Sequence, residues 1–368
     1  MSNTSHDPLP IDQTPVGELL GEELEARNWS QADFAAIIGR PTQFVSEIVT
    51  GKKEITRESA AQIGAALSHS AEYWLKLQDQ YLLAEQAKSS VTQNKLSEVR
   101  RRARLNKLAP IQLLRKRKIL TGSSLDELEA EIMELFDLDS IEGRPQFVGA
   151  AAAKRSNHGD DMSMLQQAWV ACVRKQARKR PPTGMYSPEG LVRVAESLSR
   201  SVHRAEDFAK LPDQFSDVGV RLVYVESLPG AKIDGCAMFV DGHPVIGLSG
   251  RGKRLDKVLF TLLHEIAHIL RGHVDADRLI VEDLDDGHTQ ESVREIEVND
   301  DAVDWIFPTG YPSVPARISA PWVDQTASEL GLSRIVLIGQ LQKRGRLDWR
   351  TTLAKNAPSV SEVLPLWT

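Results

Sequence analysis

Residues 256–273 read DKVLFTLLHEIAHILRGH. Leu259, Leu262, Leu263, Ile266 and Ile269 recur at three- and four-residue intervals, the spacing of one buried face of an α-helix. On that helix His264 and His268 project from a common face about one turn apart. Two imidazoles at that separation suit a shared tetrahedral Zn²⁺. Glu265 stands beside the first of them, where a carboxylate takes the proton of an activated water and hands it to a leaving amine. An apolar helix carrying H-E-x-x-H thus points to metal-assisted amide hydrolysis inside a globular domain. Two histidines on a helix are also ordinary core or surface residues, so a third ligand separates a site from a coincidence.

The metzincin pattern needs a further His six residues after His268, but Val274 stands there and His273 falls one short. The alternative is a Glu on a later helix. Residues 291–308, ESVREIEVNDDAVDWIFP, read as such a helix and offer Glu295 and Glu297. In gluzincin-type sites an Asp or Asn four residues after the ligand Glu hydrogen-bonds a ligand His from behind. Glu295 has Asn299 at that offset and Glu297 has Asp301, so the spacing leaves both open.

Together LLHEIAHILRGH (262–273) and EIEVNDDAVDWIFP (295–308) resemble the ImmA/IrrE family of metallopeptidases. Glu295, Glu297, Asn299, Ala302 and Pro308 match the family's second motif, while Val298 replaces its usual Ala and Asp301 its usual Phe. The resemblance spans roughly residues 185–345 and includes three β-like runs, 218–226, 235–240 and 244–248, separated by Gly, Pro and Asp turn signals. It places Glu295 at the ligand position, with Glu297 the alternative and Asn299 behind the metal. By the same resemblance Zn²⁺ is the cofactor, Glu265 the catalytic base, and a repressor or antitoxin protein the substrate, in stress response or mobile-element control. His243, His273, His288 and Tyr311 receive no role, and Cys172 and Cys236 read as packed thiols.

A second constellation lies at the other end of the chain. From Thr14 to Ala84 helical periodicity is broken at short intervals by Ser, Gly and Pro, which predicts five short helices. Val16, Leu19, Leu20 and Leu24 form the buried stripe of the first. Ser30 caps the second and Gly39 ends it; Pro41 opens the third and Gly51 closes it; Thr56 starts the fourth. Tyr73, Trp74 and Leu77 anchor the fifth. The tight Gly39-Arg40-Pro41 link, with small Ala35 where helices approach, is helix-turn-helix geometry. Residues 18–56, ELLGEELEARNWSQADFAAIIGRPTQFVSEIVTGKKEIT, resemble the phage-repressor type of helix-turn-helix, and especially its HigA-like antitoxin branch. The resemblance covers about 70 residues. Position by position it implies that Gln31 touches the DNA backbone, that Thr42, Gln43 and Ser46, with Glu47, face base edges, and that Lys52 and Lys53 meet phosphates. Such modules pair across two half-sites, so a homodimer on an inverted-repeat operator is expected.

Composition sets the frame around both. At 368 residues the chain is long enough for two or three domains. Lys and Arg number 45 against 51 Asp and Glu, a net charge of −6, so any contact with DNA must be local. Through residue 80 there are twelve acids and six bases, whereas residues 88–118 hold eleven bases and only Glu98, a basic arm that can supply the phosphate affinity the module lacks. Asp275 to Asp304 invert that balance, twelve acids against two arginines. Two cysteines exclude a disulfide framework and a thiolate zinc cluster. No apolar run approaches 18 residues and the start has no secretory pattern, so the reading is a cytoplasmic protein with no membrane partner. Residues 150–153, AAAA, read as an element end leading into a loop, and 323–349 as two core-packed helices around Gly331.

The expected architecture is mostly α with a small three-stranded sheet, an α+β class. Residues 14–84 form a helix-turn-helix domain, 85–184 a helical and partly basic linker, and 185–350 a metallopeptidase domain. The expected function is a DNA-binding regulator with a zinc-dependent endopeptidase. The alternative is a non-catalytic HigA-like antitoxin that binds DNA and a toxin, with a structural or vestigial zinc site.

Overall fold

The computed structural model describes residues 14–143, 145, 162–275, 279–282 and 293–367; the 150–153 run and His288 lie outside them. The chain divides into two compact units, Met1–Arg101 and Arg102–Thr368.

The first unit has the five expected helices: α1 (Val16–Ala26), α2 (Gln31–Ile37), α3 (Thr42–Val49), α4 (Arg57–Leu67) and α5 (Ala71–Lys88). Local chemistry fixes where they start. The Asp33 N–H donates to Ser30 Oγ while the Asp33 carboxylate accepts from the Ser30 N–H, and Thr56 and Ser59 exchange the same pair of bonds at α4. Gly39 and Gly51 turn the chain out of α2 and α3 at φ +67° and +70°, where a Cβ would be strained. Leu20, Leu24, Phe34, Val45, Ile48, Ile63 and Trp74 fill the core. Leu19 is only half-buried. Tyr73 departs from expectation: it is 44% exposed and stacks on His69 with ring centroids 4.9 Å apart, leaving Trp74 and Leu77 to anchor α5.

The basic stretch is helical, as α6 (Ser90–Leu108) and α7 (Ile111–Lys116). In the second unit Leu105, Leu108, Ile111 and Leu114 enter a core with α8 (Leu125–Phe136) and α9 (Met164–Lys179). Arg104 is spent there as a clamp, donating to the carbonyls of Ile141, Glu142 and Gly143 at 2.7–3.1 Å. Then come α10 (Pro188–Ser201), α11 (Leu211–Asp217), β1 (Arg221–Tyr224), β2 (Gly235–Val240), β3 (His243–Leu248), α12 (Leu255–Leu270), β4 (Ile280–Glu282), α13 (Val293–Ile306), α14 (Ala320–Leu330) and α15 (Arg334–Lys343).

The sheet is mixed, in the order β1-β3-β2-β4, with β1 parallel to β3 and β2 antiparallel to both its neighbours. It has four strands where the sequence pattern predicts three. β4 adds a three-residue edge, too short to show alternation. Side chains alternate between two cores, because successive strand residues point to opposite faces. Leu222, Ala237, Ile246 and Leu248 pack under α10, α12 and α15, whereas Val223, Cys236, Met238 and Val245 pack under α8 and α9. Gly247 lets α9 approach, since a Cβ there would lie 2.6 Å from Val173 Cγ1. The class is α+β, as expected. Gly331 separates α14 from α15 at φ +65°, and Ile335, Val336, Leu337 and Ile338 are buried.

Candidate metal centre and nucleic-acid interface

Helix α12 is hydrophobic nearly all round, so it runs through the interior and carries its polar residues with it. His264, Glu265 and His268 are fully buried. Helix α13 packs across it and brings Glu295, 3% exposed, to the two imidazoles. His264 Nε2 and His268 Nε2 lie 3.0 Å apart, and Glu295 Oε2 and Oε1 lie 3.4 and 3.7 Å from them. A tetrahedral ion with bonds of about 2.0–2.1 Å needs donor atoms about 3.3 Å apart. The three side chains therefore fit a metal, and among the described residues they form a group that can hold one.

The far sides of the rings are oriented. His264 Nδ1 lies 3.1 Å from Asn299 Oδ1; the carboxamide oxygen accepts the Nδ1 proton, which leaves the Nε2 lone pair facing Glu295. His268 Nδ1 lies 3.0 Å from His273 Nδ1. Burial, then the neighbouring His268, lower the His273 pKa. The sequence pattern alone assigns His273 no role. Its signal is position, five residues after His268 and just past Gly272, where the chain turns at φ +65°.

Glu297 is not with the group. Two residues along α13 from Glu295, it faces outward and accepts from Arg271 at 3.0 Å. Arg271 also grips both carboxylate oxygens of Asp301 at 2.5 and 2.8 Å. Asp301 is thus a surface ion-pair partner, and the polar residue there leaves the core intact. His243 sits at the start of β3, with Nδ1 3.3 Å from the Gly219 carbonyl.

Glu265 faces β2. A Cβ on Gly235 would come within 2.6 Å of Glu265 Oε1 and 2.8 Å of Thr261 Cγ2, so the strand backbone touches the carboxylate only because residue 235 is glycine. Cys236 follows it; burial first, and the Glu265 charge second, hold its thiol well above the usual range. Burial likewise pushes Cys172 up to about 12, and both cysteines are packed thiols.

In the first unit Thr42 and Gln43 are exposed at the start of α3, Ser46 and Glu47 lie one turn on, and Lys52 and Lys53 follow the helix. Gln31 opens α2. Gln43 Nε2 donates to Glu47 Oε1 at 2.9 Å, and Lys53 Nζ stands 4.7 Å above the Phe44 ring. Arg40, the middle residue of the turn between α2 and α3, stands over the same ring at 5.3 Å and donates to Gln62 and Glu58. Gly17 lets α1 close on α3, since a Cβ there would meet the Ile48 carbonyl at 2.2 Å.

No family model matches the chain. Its amino-terminal part is similar to the uncharacterized HTH-type transcriptional regulator YddM of Escherichia coli strain K12, 32% identical over 73 residues that make up 20% of this chain and 78% of that protein. Among solved structures it is similar to an addiction module antidote protein of the HigA family from Coxiella burnetii, at 30% identity and a TM-score of 0.22, over 23% of this chain and 91% of that one. Among the described residues no helix is long and apolar enough to cross a membrane. Through its amino-terminal stretch, the chain belongs to the HTH-type transcriptional regulators.

Proposed function

We propose that this regulator binds operator DNA through α3 and that its second unit is a zinc-dependent endopeptidase acting on a partner regulator, a repressor or an antitoxin. One observation carries the peptidase reading: three buried donors lie at ligand spacing, and the two imidazoles among them share a helix with the buried carboxylate of Glu265. Two imidazoles and one carboxylate are a ligand set of three-residue catalytic zinc sites. When bound, the ion supplies Lewis acidity toward a water and the scissile carbonyl.

The chain's own residues do the rest. Asn299 and His273 hold the two rings in one tautomer and orientation, so Nε2 of each is the donor. Glu295 contributes negative charge from the facing helix. Glu265 accepts a proton on a carboxylate oxygen and passes it to the leaving amine nitrogen, in an interior where charge interactions are strong. The ImmA/IrrE resemblance supports this assignment, and the HTH family supports an operator target. A homodimer on an inverted repeat follows from the small surface one such module offers.

The test is cleavage of a repressor, antitoxin or toxin encoded beside this gene, by wild type and by Glu265→Gln. Wild type should cut it; Glu265→Gln should hold its zinc and not cut. Cleavage by Glu265→Gln at the wild-type rate overturns the peptidase reading. If nothing is cut and Glu265→Gln regulates transcription normally, the non-catalytic regulator that binds DNA and a toxin replaces it.

A further inference from the structure

We infer that the cavity along the edge of β1, beside the end of α9, is a binding site for a small organic oxyanion, a carboxylate or a phosphate monoester. Its volume is about 400 Å³, within the roughly 300–1,000 Å³ usual for small-ligand sites. Its walls come from the end of α9, from α11 and from residues 220–223. None of the lining residues belongs to the metal group.

Arg221 says what the ligand carries. Its side chain is only 7% exposed and shares a sheet face with Val223, the face that α9 covers. Nη1 donates to the Val240 carbonyl at 3.2 Å and stands 3.6 Å from Asp241. Nε is buried and donates to no described residue. An N–H buried in this way is costly, and a carboxylate or phosphate sets two oxygens against the Nε–Nη2 edge of a guanidinium. The strand supplies a further donor. Val225 N–H goes to the Leu248 carbonyl at 3.1 Å, so in this parallel pair Arg221 and Val223 also turn their backbone groups to β3. Leu222, between them, turns its N–H the other way. There β1 is the edge of the sheet, and Leu222 lines the cavity.

Charge agrees with these donors. The lining carries Lys179, Arg180 and Arg221, and its one acid among the described residues is the exposed Asp213. Lys179 and Arg221 alone outnumber it. Asp241, behind Arg221, divides its charge between Arg221 and Arg178, each at 3.6 Å. The cavity therefore favours an anion. Pro181, Pro182 and Pro212 give the remaining wall an apolar surface with no N–H, which suits an organic body rather than a bare ion.

The full-length protein is titrated with benzoate and with phenyl phosphate by calorimetry. Benzamide is the neutral control, and inorganic phosphate the control for the organic body. Each titration is repeated after zinc removal, because both anions also bind a metal. Benzoate or phenyl phosphate should bind at least about tenfold more tightly than both controls, with or without zinc, and the tighter of the two names the oxyanion. Arg221→Gln should cost about tenfold or more. Because Arg221 is buried, exposed Lys179→Gln is the second variant; it should weaken binding about threefold at an unchanged melting temperature. The inference is overturned if neither anion binds, if benzamide or inorganic phosphate binds as tightly, if binding vanishes with the zinc, or if Lys179→Gln or a folded Arg221→Gln keeps the wild-type affinity.

Discussion

His264 and Glu265 are neighbours in one buried turn of α12, yet they point to different partners. His264 meets Glu295 and Asn299 on α13, whereas Glu265 lies against the backbone of Gly235 on β2. Substitutions should separate the two directions. Glu295→Gln should lose zinc, and Glu297→Gln should keep it; metal analysis of the two purified proteins checks this, and the opposite result would move the ligand to Glu297. The ion pair of Glu297 with Arg271 is exposed, so breaking it should cost no more than about 1 kcal/mol in denaturant unfolding. Asn299→Ala leaves the ligands in place but frees the His264 ring, and zinc affinity should fall about 10- to 100-fold in a competition titration. Gly235→Ala should destabilise the protein by about 1–3 kcal/mol through overpacking and impair any cleavage while zinc stays bound. An active, fully stable Gly235→Ala protein would mean that Glu265 has more room than the structure gives it.

At the scale of the element, the helix ends were legible because capping is local chemistry. Ser30 and Thr56 accept from the N–H three residues on, as their side chains and spacing predict. Burial of individual residues within a helix was less so: periodicity marks Tyr73 as an anchor, but only the path of α5 across the first unit decides which aromatic turns inward. Helix α3 carries the operator contacts on the proposed reading. Gln43→Ala should cost about 1–3 kcal/mol at one base pair and relax preference there, without unfolding α3. A footprint and a base-substitution series unchanged by Gln43→Ala would take that helix out of base recognition. Lys52→Ala and Lys53→Ala should instead weaken binding evenly across sequences and lower the salt slope by about one each. Gly17→Ala acts on the packing of elements: its methyl group meets backbone carbonyls of α3, which cannot swing aside, and a lower melting temperature is expected.

Over the whole molecule, two compact units imply two unfolding transitions, and only one should depend on metal. A bound ion stabilises the fold that holds it by mass action. Chelation followed by calorimetry should lower the Arg102–Thr368 transition and leave the Met1–Arg101 transition unmoved; a shift in both would show that they unfold as one. The amino-acid sequence by itself determined what is local. It fixed the helices of the first unit, the three longer strands, the H-E-x-x-H face of α12 and the two glutamates offered by α13, because caps, turn residues and periodicity act within a few residues. Tertiary structure decided what depends on partners distant in the chain. The packing of α13 across α12 turns Glu295 inward and Glu297 to Arg271, a choice that spacing left open. The short β4 exists only by pairing with β2, and His273 acquires a partner only where the chain doubles back on His268. The basic stretch, which composition marks as a basic arm, gives its apolar residues and Arg104 to a core, because charge content says which residues prefer water but not which face of a helix finds a neighbour.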